Sequence, residues 1–546
     1  MFICSKITVL KHFSRLLLSV VIIILLTSNC ARKGRPGGGE KDSLAPLMVT
    51  ANPPYKSIHF KSDKIKIYFD EYITLKDVQQ QLVISPPLKY LPTITPQGTP
   101  SKLITIKITD TLKEQTTYTF NFGNSIQDNN EGNKLERFKY IFSTGDFIDS
   151  LQTKGSVKDA FLKEPEKNIS VLLYKIDSTF TDSIVYKQKP SYVTSTVDST
   201  LFDLANIKKG TYLLLALKDV SKNYLFNPKE DKIGVYSRYI KLPEDSILKT
   251  PIALYKEIAP FKLARPKEVN KGHIIFGFEG DPKELTIENL SEFSDTYKSV
   301  STFETDKDTL NYWYSSNIKN DSLIFKVSAE NFTDTVTVFL RSKNTDSLKI
   351  NPAFSRTLDL RDTLVFLSNN PITKIDTSKI KFITKKDSLR VSYTTEIDAK
   401  SNKIAFLFDK KYNTKYQLSL YPKALTDLLK TQNDSLNYLF STKEPEDYGS
   451  ITINVQKNTT ASVIIELHTE KGKLVQRFFV DKNTSLNFDL LKPGSYIIKA
   501  IIDTNGNHKW DTGNYLRKEK PEKVIYHPVV FKLRANWHFP ETFVIQ

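Results

Sequence analysis

The sequence predicts an all-β chain, a tandem array of β-sandwich domains behind an N-terminal membrane-targeting segment. Three observations carry the prediction. Short runs in which apolar and polar residues alternate recur between Pro, Asn and Asp turns, as half-buried strands require, while long stretches of 3.6-residue periodicity are nearly absent. Phe (33) and Tyr (26) are abundant and Gly (19) is scarce, a composition suited to pleated, half-buried surfaces. Finally, two different motif sets each return once, in the same order.

The first element is Leu16–Cys30, LLLSVVIIILLTSNC. Its apolar run, Leu16–Leu26, is about half of the roughly 20 residues that span a bilayer. It follows the basic residues Lys6, Lys11 and Arg15, the layout of a signal peptide. Leu26-Thr27-Ser28-Asn29-Cys30 resembles the lipobox of bacterial lipoproteins, with two departures. The leucine stands four residues before the cysteine rather than three, and Asn29 replaces a smaller residue. The resemblance implies that residues 1–29 are a lipoprotein signal peptide and that Cys30 is acylated, with palmitate-type chains holding the protein to a lipid bilayer. An ordinary signal peptide and an uncleaved anchor are the competing readings. The other cysteine, Cys4, lies within the signal, so the mature fold must stand without a disulfide.

Residues 30–43 read as a flexible tether, because Gly37–Gly39, Pro36 and mixed charges bury no apolar surface. Removal of residues 1–29 leaves 517 (546 − 29) residues, enough for four or five domains at roughly 100–150 residues each. Three basic residues leave with the signal, so the formal charge falls from +17 to +14. The remaining lysines interleave with Asp and Glu along solvent faces. No basic block with interleaved aromatics appears, so nucleic acid is not an expected partner.

Residues 44–149 form the first expected domain. Ile65, Ile67 and Phe69 alternate with polar residues, as do Ile104, Ile106 and Ile108, then Tyr118, Phe120 and Phe122, and finally Tyr140 and Phe142. Asn52-Pro53-Pro54, Ile65–Ile73 (IKIYFDEYI), Tyr118–Phe122, Ile126-x-Asp128 and Phe142–Gly145 together resemble the Ig-like domain of S-layer proteins of the SbsA type. The resemblance implies a Greek-key sandwich. Residues 150–260 carry Gly155-x-Val157, Val171–Tyr174, Phe202-Asp203-Leu204 and Gly210-Thr211-Tyr212. This set resembles the transthyretin-like or collagen-adhesin B-type sandwich, which includes the regulatory domains of carboxypeptidases and implies a spacer or binding module. Residues 261–350 hold strand candidates at 273–278, 310–314, 322–327 and 335–340 and match no pattern.

The motifs then repeat. Tyr118, Tyr140, Phe142, Ser143 and Thr144 reappear at one constant offset (416 − 118 = 440 − 142) as Tyr416, Tyr438, Phe440, Ser441 and Thr442. Residues 351–447 are therefore expected to be a degenerate second Ig-like domain. Gly210, Tyr212, Ala216 and Asp219 reappear at a second constant offset (494 − 210 = 503 − 219) as Gly494, Tyr496, Ala500 and Asp503. Residues 448–546 are accordingly expected to be a second transthyretin-like sandwich.

The richest candidate site is the loop that closes the last match, Asp503–Gly513. Asp503, Asn505, Asn507 and Asp511 place side-chain oxygens at positions 1, 3, 5 and 9, and Lys509 offers its backbone carbonyl at position 7. Calcium takes six to eight hard oxygen ligands, and this is EF-hand spacing. His508 stands where that loop has glycine, and Asn514 where it has a bidentate glutamate. With two carboxylates the expected affinity is on the order of 10⁻⁴–10⁻³ M. The competing reading is an Asx-rich turn that binds its own backbone. Asp219, Ser221, Asn223 and Asn227 form a weaker copy with a single carboxylate. An aromatic, Phe226 or Trp510, precedes position 9 in each and is expected to plug the loop onto its sandwich.

Catalytic signatures are missing. No G-x-S-x-G, Walker loop, H-E-x-x-H or C-x-x-C occurs. His538-Phe-Pro-Glu541 spells a zinc pair of the carboxypeptidase kind, but only five residues follow it to supply a third ligand. The expected function is that of a non-catalytic, membrane-anchored envelope lipoprotein, a spacer, scaffold or protein-binding arm with other envelope proteins as partners. The whole pattern resembles lipoproteins of Bacteroidetes-type bacteria, which implies an outer-membrane location. Ala31-Arg32-Lys33-Gly34 lacks an acidic run after the cysteine, which leans toward the periplasmic side and leaves the exterior open. The alternatives are an accessory to an enzyme and a glycan-binding module, for which Trp313, Trp510 and Trp537 are the candidate platforms.

Overall fold

The computed structural model describes residues 42–546 apart from 283, 292–296, 305–306, 316–317, 319 and 345. Cys30, the signal segment and the tether up to residue 41 lie outside the described residues. The described chain is all-β. Its regular structure is strand apart from two four-residue helices, Val78–Gln81 and Ile184–Lys187, and two short 3₁₀ turns. No helix among the described residues is long and apolar enough to cross a membrane.

Alternation along Lys64–Leu75 buries Ile65, Ile67 and Phe69 against Ile104 and Ile106 of Ser101–Lys107, which pair with it antiparallel. These strands sit in one sheet with Met48–Asn52 and Thr93–Thr95. The facing sheet is Val83–Ser85, Thr117–Asn121 and Lys139–Ser143. Between them Phe60, Tyr118, Phe120 and Phe142 stack into the core. Residues 350–441 repeat this plan. One sheet runs Ile350–Pro352, Leu364–Ser368, Lys403–Leu407, Thr394–Asp398, and the other Ile380–Thr384, Lys415–Leu420, Leu436–Ser441.

The segments 151–254 and 449–545 form a second matching pair. In each, a long central strand, Gly210–Lys218 or Gly494–Asp503, sits among antiparallel neighbours. The opposing sheet in each has three strands, with one outer strand parallel to the centre: Ile252–Leu254 beside Leu151–Asp159, and His538–Ile545 beside Gly449–Lys457. Residues 262–339 build the remaining sandwich, whose core holds Phe276, Tyr312 and Phe325. Five apolar clusters thus fill five sandwiches, and a sixth cluster crosses between sandwiches.

That crossing departs from the expected string. Neighbouring sandwiches touch in order. Asn206 of the second bonds Thr119 of the first at 3.1 Å. Lys229 of the second pairs with Glu279 of the third at 2.7 Å. Gly272 of the third packs against Leu429 of the fourth, leaving no room for a Cβ. Asp359 of the fourth pairs with Lys492 of the last at 2.5 Å. The last sandwich then returns to the second, with Tyr515 and Trp510 joining an apolar cluster formed by Leu172, Tyr174, Leu213 and Tyr255. Sandwiches two to five therefore close a circuit of contacts rather than extending as an open arm.

Candidate functional site

The loop after Gly494–Asp503 is built on that central strand, whose last residue, Asp503, is almost completely buried. The Asp503 carboxylate accepts backbone N–H bonds from Gly506 (2.7 Å), Asn507 (3.2 Å) and His508 (2.9 Å). The side-chain oxygens of Asn505 and Asn507 accept from the N–H groups of Asn507 and Lys509. Their amide nitrogens both donate to Asp511 Oδ2 at 2.6 Å. His508 adopts a left-handed conformation (φ 63°) without being glycine, which the short hydrogen-bonded turn enforces.

This arrangement has the hydrogen bonds of an Asx-rich turn. The oxygens of Asp503, Asn505 and Asn507 are already matched to N–H donors, and nitrogens rather than oxygens surround Asp511.

The copy in the second sandwich has the same backbone. Asp219 accepts from Asn223 (3.3 Å) and Tyr224 (2.7 Å). Lys222 and Tyr224 take the left-handed conformations that Gly506 and His508 take at the equivalent places in the last sandwich. The Asn223 oxygen accepts from Leu225 N–H at 2.7 Å, and the Asn227 oxygen from Lys229 N–H at 3.2 Å. Phe226 is buried against Tyr186, as a plug.

Each loop is clamped by an acid the sequence reading missed. Fully buried Asp231 accepts from Val220 N–H (2.9 Å) and Asn227 N–H (2.8 Å), the two ends of its loop. Glu522 does the same for the equivalent residues, accepting from Thr504 N–H at 2.6 Å and Asp511 N–H at 3.2 Å. The offset between the two clamps (522 − 231) equals the offset between Gly234 and Ile525 (525 − 234), which hold the same register on their central strands. It exceeds the offset between the loops themselves (503 − 219) by seven, so the last sandwich carries seven extra residues between Asp511 and Glu522. Carrying the loop match forward to the next strand would have exposed this insertion.

The insertion forms the docking surface. Thr512 donates to Lys256 O at 2.6 Å, and Tyr515 N–H donates to buried Glu257 at 2.5 Å. Lys518 pairs with Asp182 at 3.3 Å. Beside it, Phe161 of the second sandwich enters a pocket of the last. Its ring lies 4.7 Å from Trp510, Lys499 Nζ sits 3.5 Å above it, and its carbonyl accepts from Tyr526 OH at 2.7 Å. Lys499 is buried and is held by Glu466 at 3.1 Å. Burial pushes the Glu466 carboxyl up, but His468, Lys499 and Arg477 overcome it and hold it down at about 2.

The remaining candidates are placed as structural groups. Trp313 is buried, stacked on His273 with ring centroids 3.6 Å apart. Trp510 serves the docking interface. Trp537 is 46% exposed, with the Arg534 guanidinium 4.9 Å over its ring. His538 and Glu541 stand three residues apart on one strand, so they point to opposite faces, and His538 bonds Ser450 at 2.8 Å. They cannot jointly hold a metal.

Residues 42–144 match the family of bacterial Ig-like domains. Solved structures similar to this chain include domains 1–6 of the surface-layer protein SbsC, at 11% identity over 90% of this chain and 68% of that one, with a TM-score of 0.16. The titin I9–I11 tandem is 7% identical over 52% of this chain and 100% of that one, with a TM-score of 0.12. Extracellular domains 3–5 of Drosophila OTK are 10% identical over 54% and 93%, with a TM-score of 0.14. No curated protein matches.

Proposed function

We propose that this protein is a non-catalytic scaffold that holds a set of β-sandwiches in a fixed arrangement at a cell-envelope membrane, tethered through acylated Cys30. The observation that carries this reading is the return of the last sandwich onto the second. Through it, Phe161 and the inserted residues lock sandwiches two to five into one circuit. A flexible spacer has no use for such a lock, whereas a scaffold presenting surfaces to other envelope proteins needs fixed geometry. Acyl chains, at about 0.8 kcal/mol per buried CH₂, anchor stably once two or more are present. Cellular fractionation of Cys30→Ala tests the anchor. The wild type is expected in the membrane fraction with its leader removed, and the variant either soluble or still carrying its leader; a variant that is processed and membrane-bound like the wild type refutes anchoring through Cys30.

A further inference from the structure

The first sandwich has one open broad face. Its sheet of Val83–Ser85, Thr117–Asn121 and Lys139–Ser143 is covered by the second sandwich, where Val193 N–H donates to Ser85 Oγ and Thr119 Oγ1 to Asn206, both at 3.1 Å. The facing sheet is uncovered, and Thr50, Lys64, Tyr68, Thr93 and Lys107 on it are exposed.

Register sets a basic row on that face. Lys64 stands directly opposite Lys107, and Lys66 follows two residues along on the same side. Among the described residues none of the three has a carboxylate partner. Like charges directly opposite one another destabilise a sheet, so the fold itself gains nothing from this pair. Tyr68 comes next in line, opposite Leu103. Toward the far end Tyr72 is 57% exposed, with Lys102 Nζ 5.5 Å over its ring, and Leu47 and Val49 on the neighbouring edge are 64% and 65% exposed. Asp70 and Glu71 also sit at that end, about 20 Å along the strand from Lys64, and Asp70 is engaged by Leu47 N–H at 2.8 Å.

The chain enters at the Tyr72 end. Asp42 O accepts from Asn133 at 3.0 Å, and Asn129 N–H donates to Tyr72 O at 2.9 Å. From Cys30 to Asp42 is 12 residues (42 − 30), a reach of at most about 43 Å. A bilayer holding Cys30 is therefore within reach of the face.

We infer that this face lies on the anionic headgroups of the anchoring bilayer. Lys64, Lys66 and Lys107 meet lipid phosphates, while Tyr68, Tyr72, Leu47 and Val49 settle at the headgroup level, where amphipathic rings and basic side chains are favoured. The inference rests on the proposed anchor, and its test supplies that anchor chemically.

The chain from Cys30 onward, which holds every described residue and a single cysteine, is coupled through Cys30 to maleimide lipid in vesicles. Its lysines are then acetylated with an amine-reactive reagent and read by mass spectrometry. On seven-to-three phosphatidylcholine–phosphatidylglycerol vesicles, labelling of Lys64, Lys66 and Lys107 is expected to fall at least threefold relative to the uncoupled chain. Lys381 and Lys400 of the fourth sandwich should be unchanged. Lys64→Glu with Lys107→Glu, two surface changes, should abolish the protection of Lys66, and so should high salt, which shortens the range of the attraction. Unaltered labelling of the three lysines on these vesicles overturns the inference, as does equal protection on pure phosphatidylcholine. Equal protection of the uncoupled chain by soluble poly-glutamate also overturns it, and would reassign the face to an acidic partner. Fractionation of Cys30→Ala bears on the anchor alone, so the two failures are told apart.

Discussion

Tyr118 and Tyr416 bury their rings in equivalent cores and each accepts a backbone N–H through its hydroxyl, from Lys113 and Lys411, both at 2.8 Å. Thr144 and Thr442 complete the corner by donating to the carbonyls of the same two lysines. The repeated residues in the sequence are thus the ones that tie a strand to the loop before it. Removing either hydroxyl strands a partly buried N–H, so Tyr118→Phe and Tyr416→Phe should each cost about 1–3 kcal/mol, read by denaturant unfolding. Equal costs are expected at the two sites; a loss at one alone would mean that the corners are not equivalent. Asp503 gives a second residue-level test. Asp503→Ala should lower the melting temperature by the same amount in millimolar calcium and in chelator, because its partners are N–H groups of its own loop. A wild-type melting temperature that climbs with calcium would establish the metal reading instead, since a ligand of the native state must stabilise it. Glu466 sets a pH dependence. Its folded value of about 2 lies below the ordinary 4.5, so its contribution is present above roughly pH 4.5 and is lost as pH falls toward 2. The unfolding midpoint of the last sandwich should therefore drop between pH 5 and pH 2.5 in the wild type, and drop less in Glu466→Gln.

The element that matters most is the stretch between Asp511 and Glu522. It is seven residues longer than its counterpart in the second sandwich, and it supplies Thr512, Tyr515 and Lys518 to the interface. Phe161, from the loop after Leu151–Asp159, supplies the reciprocal contact. A buried cation over an aromatic face contributes about 2 kcal/mol or more once desolvated, and truncating the ring also removes its packing on Trp510. Phe161→Ala is expected to undock the last sandwich while leaving each core intact. Hydrogen exchange should then rise at residues 158–162 and 510–522 and stay unchanged in strands such as Lys64–Leu75. Unaltered exchange in the interface would show that the remaining hydrogen bonds suffice.

For the whole molecule, closure predicts a compact particle. X-ray scattering from the full chain should give a maximum dimension well short of five sandwiches laid end to end, and Phe161→Ala should lengthen it. An extended wild-type profile would return the protein to the open arm that the order of its domains suggests. The same closure packs Tyr255 of the second sandwich and Tyr515 of the last into one apolar cluster.

Much of the fold was legible in the sequence, because strands write their buried face at every second residue. Ile65, Ile67 and Phe69 need only a period of two to announce a sandwich, and Tyr118 with Tyr416 needs only an offset to announce a duplication. The Asx loop was legible too, since Asp, Asn and Gly at fixed spacing act on their own backbone. The rest depended on distance in space. Asp231 and Glu522 clamp their loops from beyond the motif. Phe161, in the first third of the chain, meets Lys499 and Trp510 in the last, and no local pattern records which face of one sandwich another will cover. Local periodicity therefore determined the elements and their repetition, while the tertiary structure alone decided that the chain closes on itself and which residues meet at the closure.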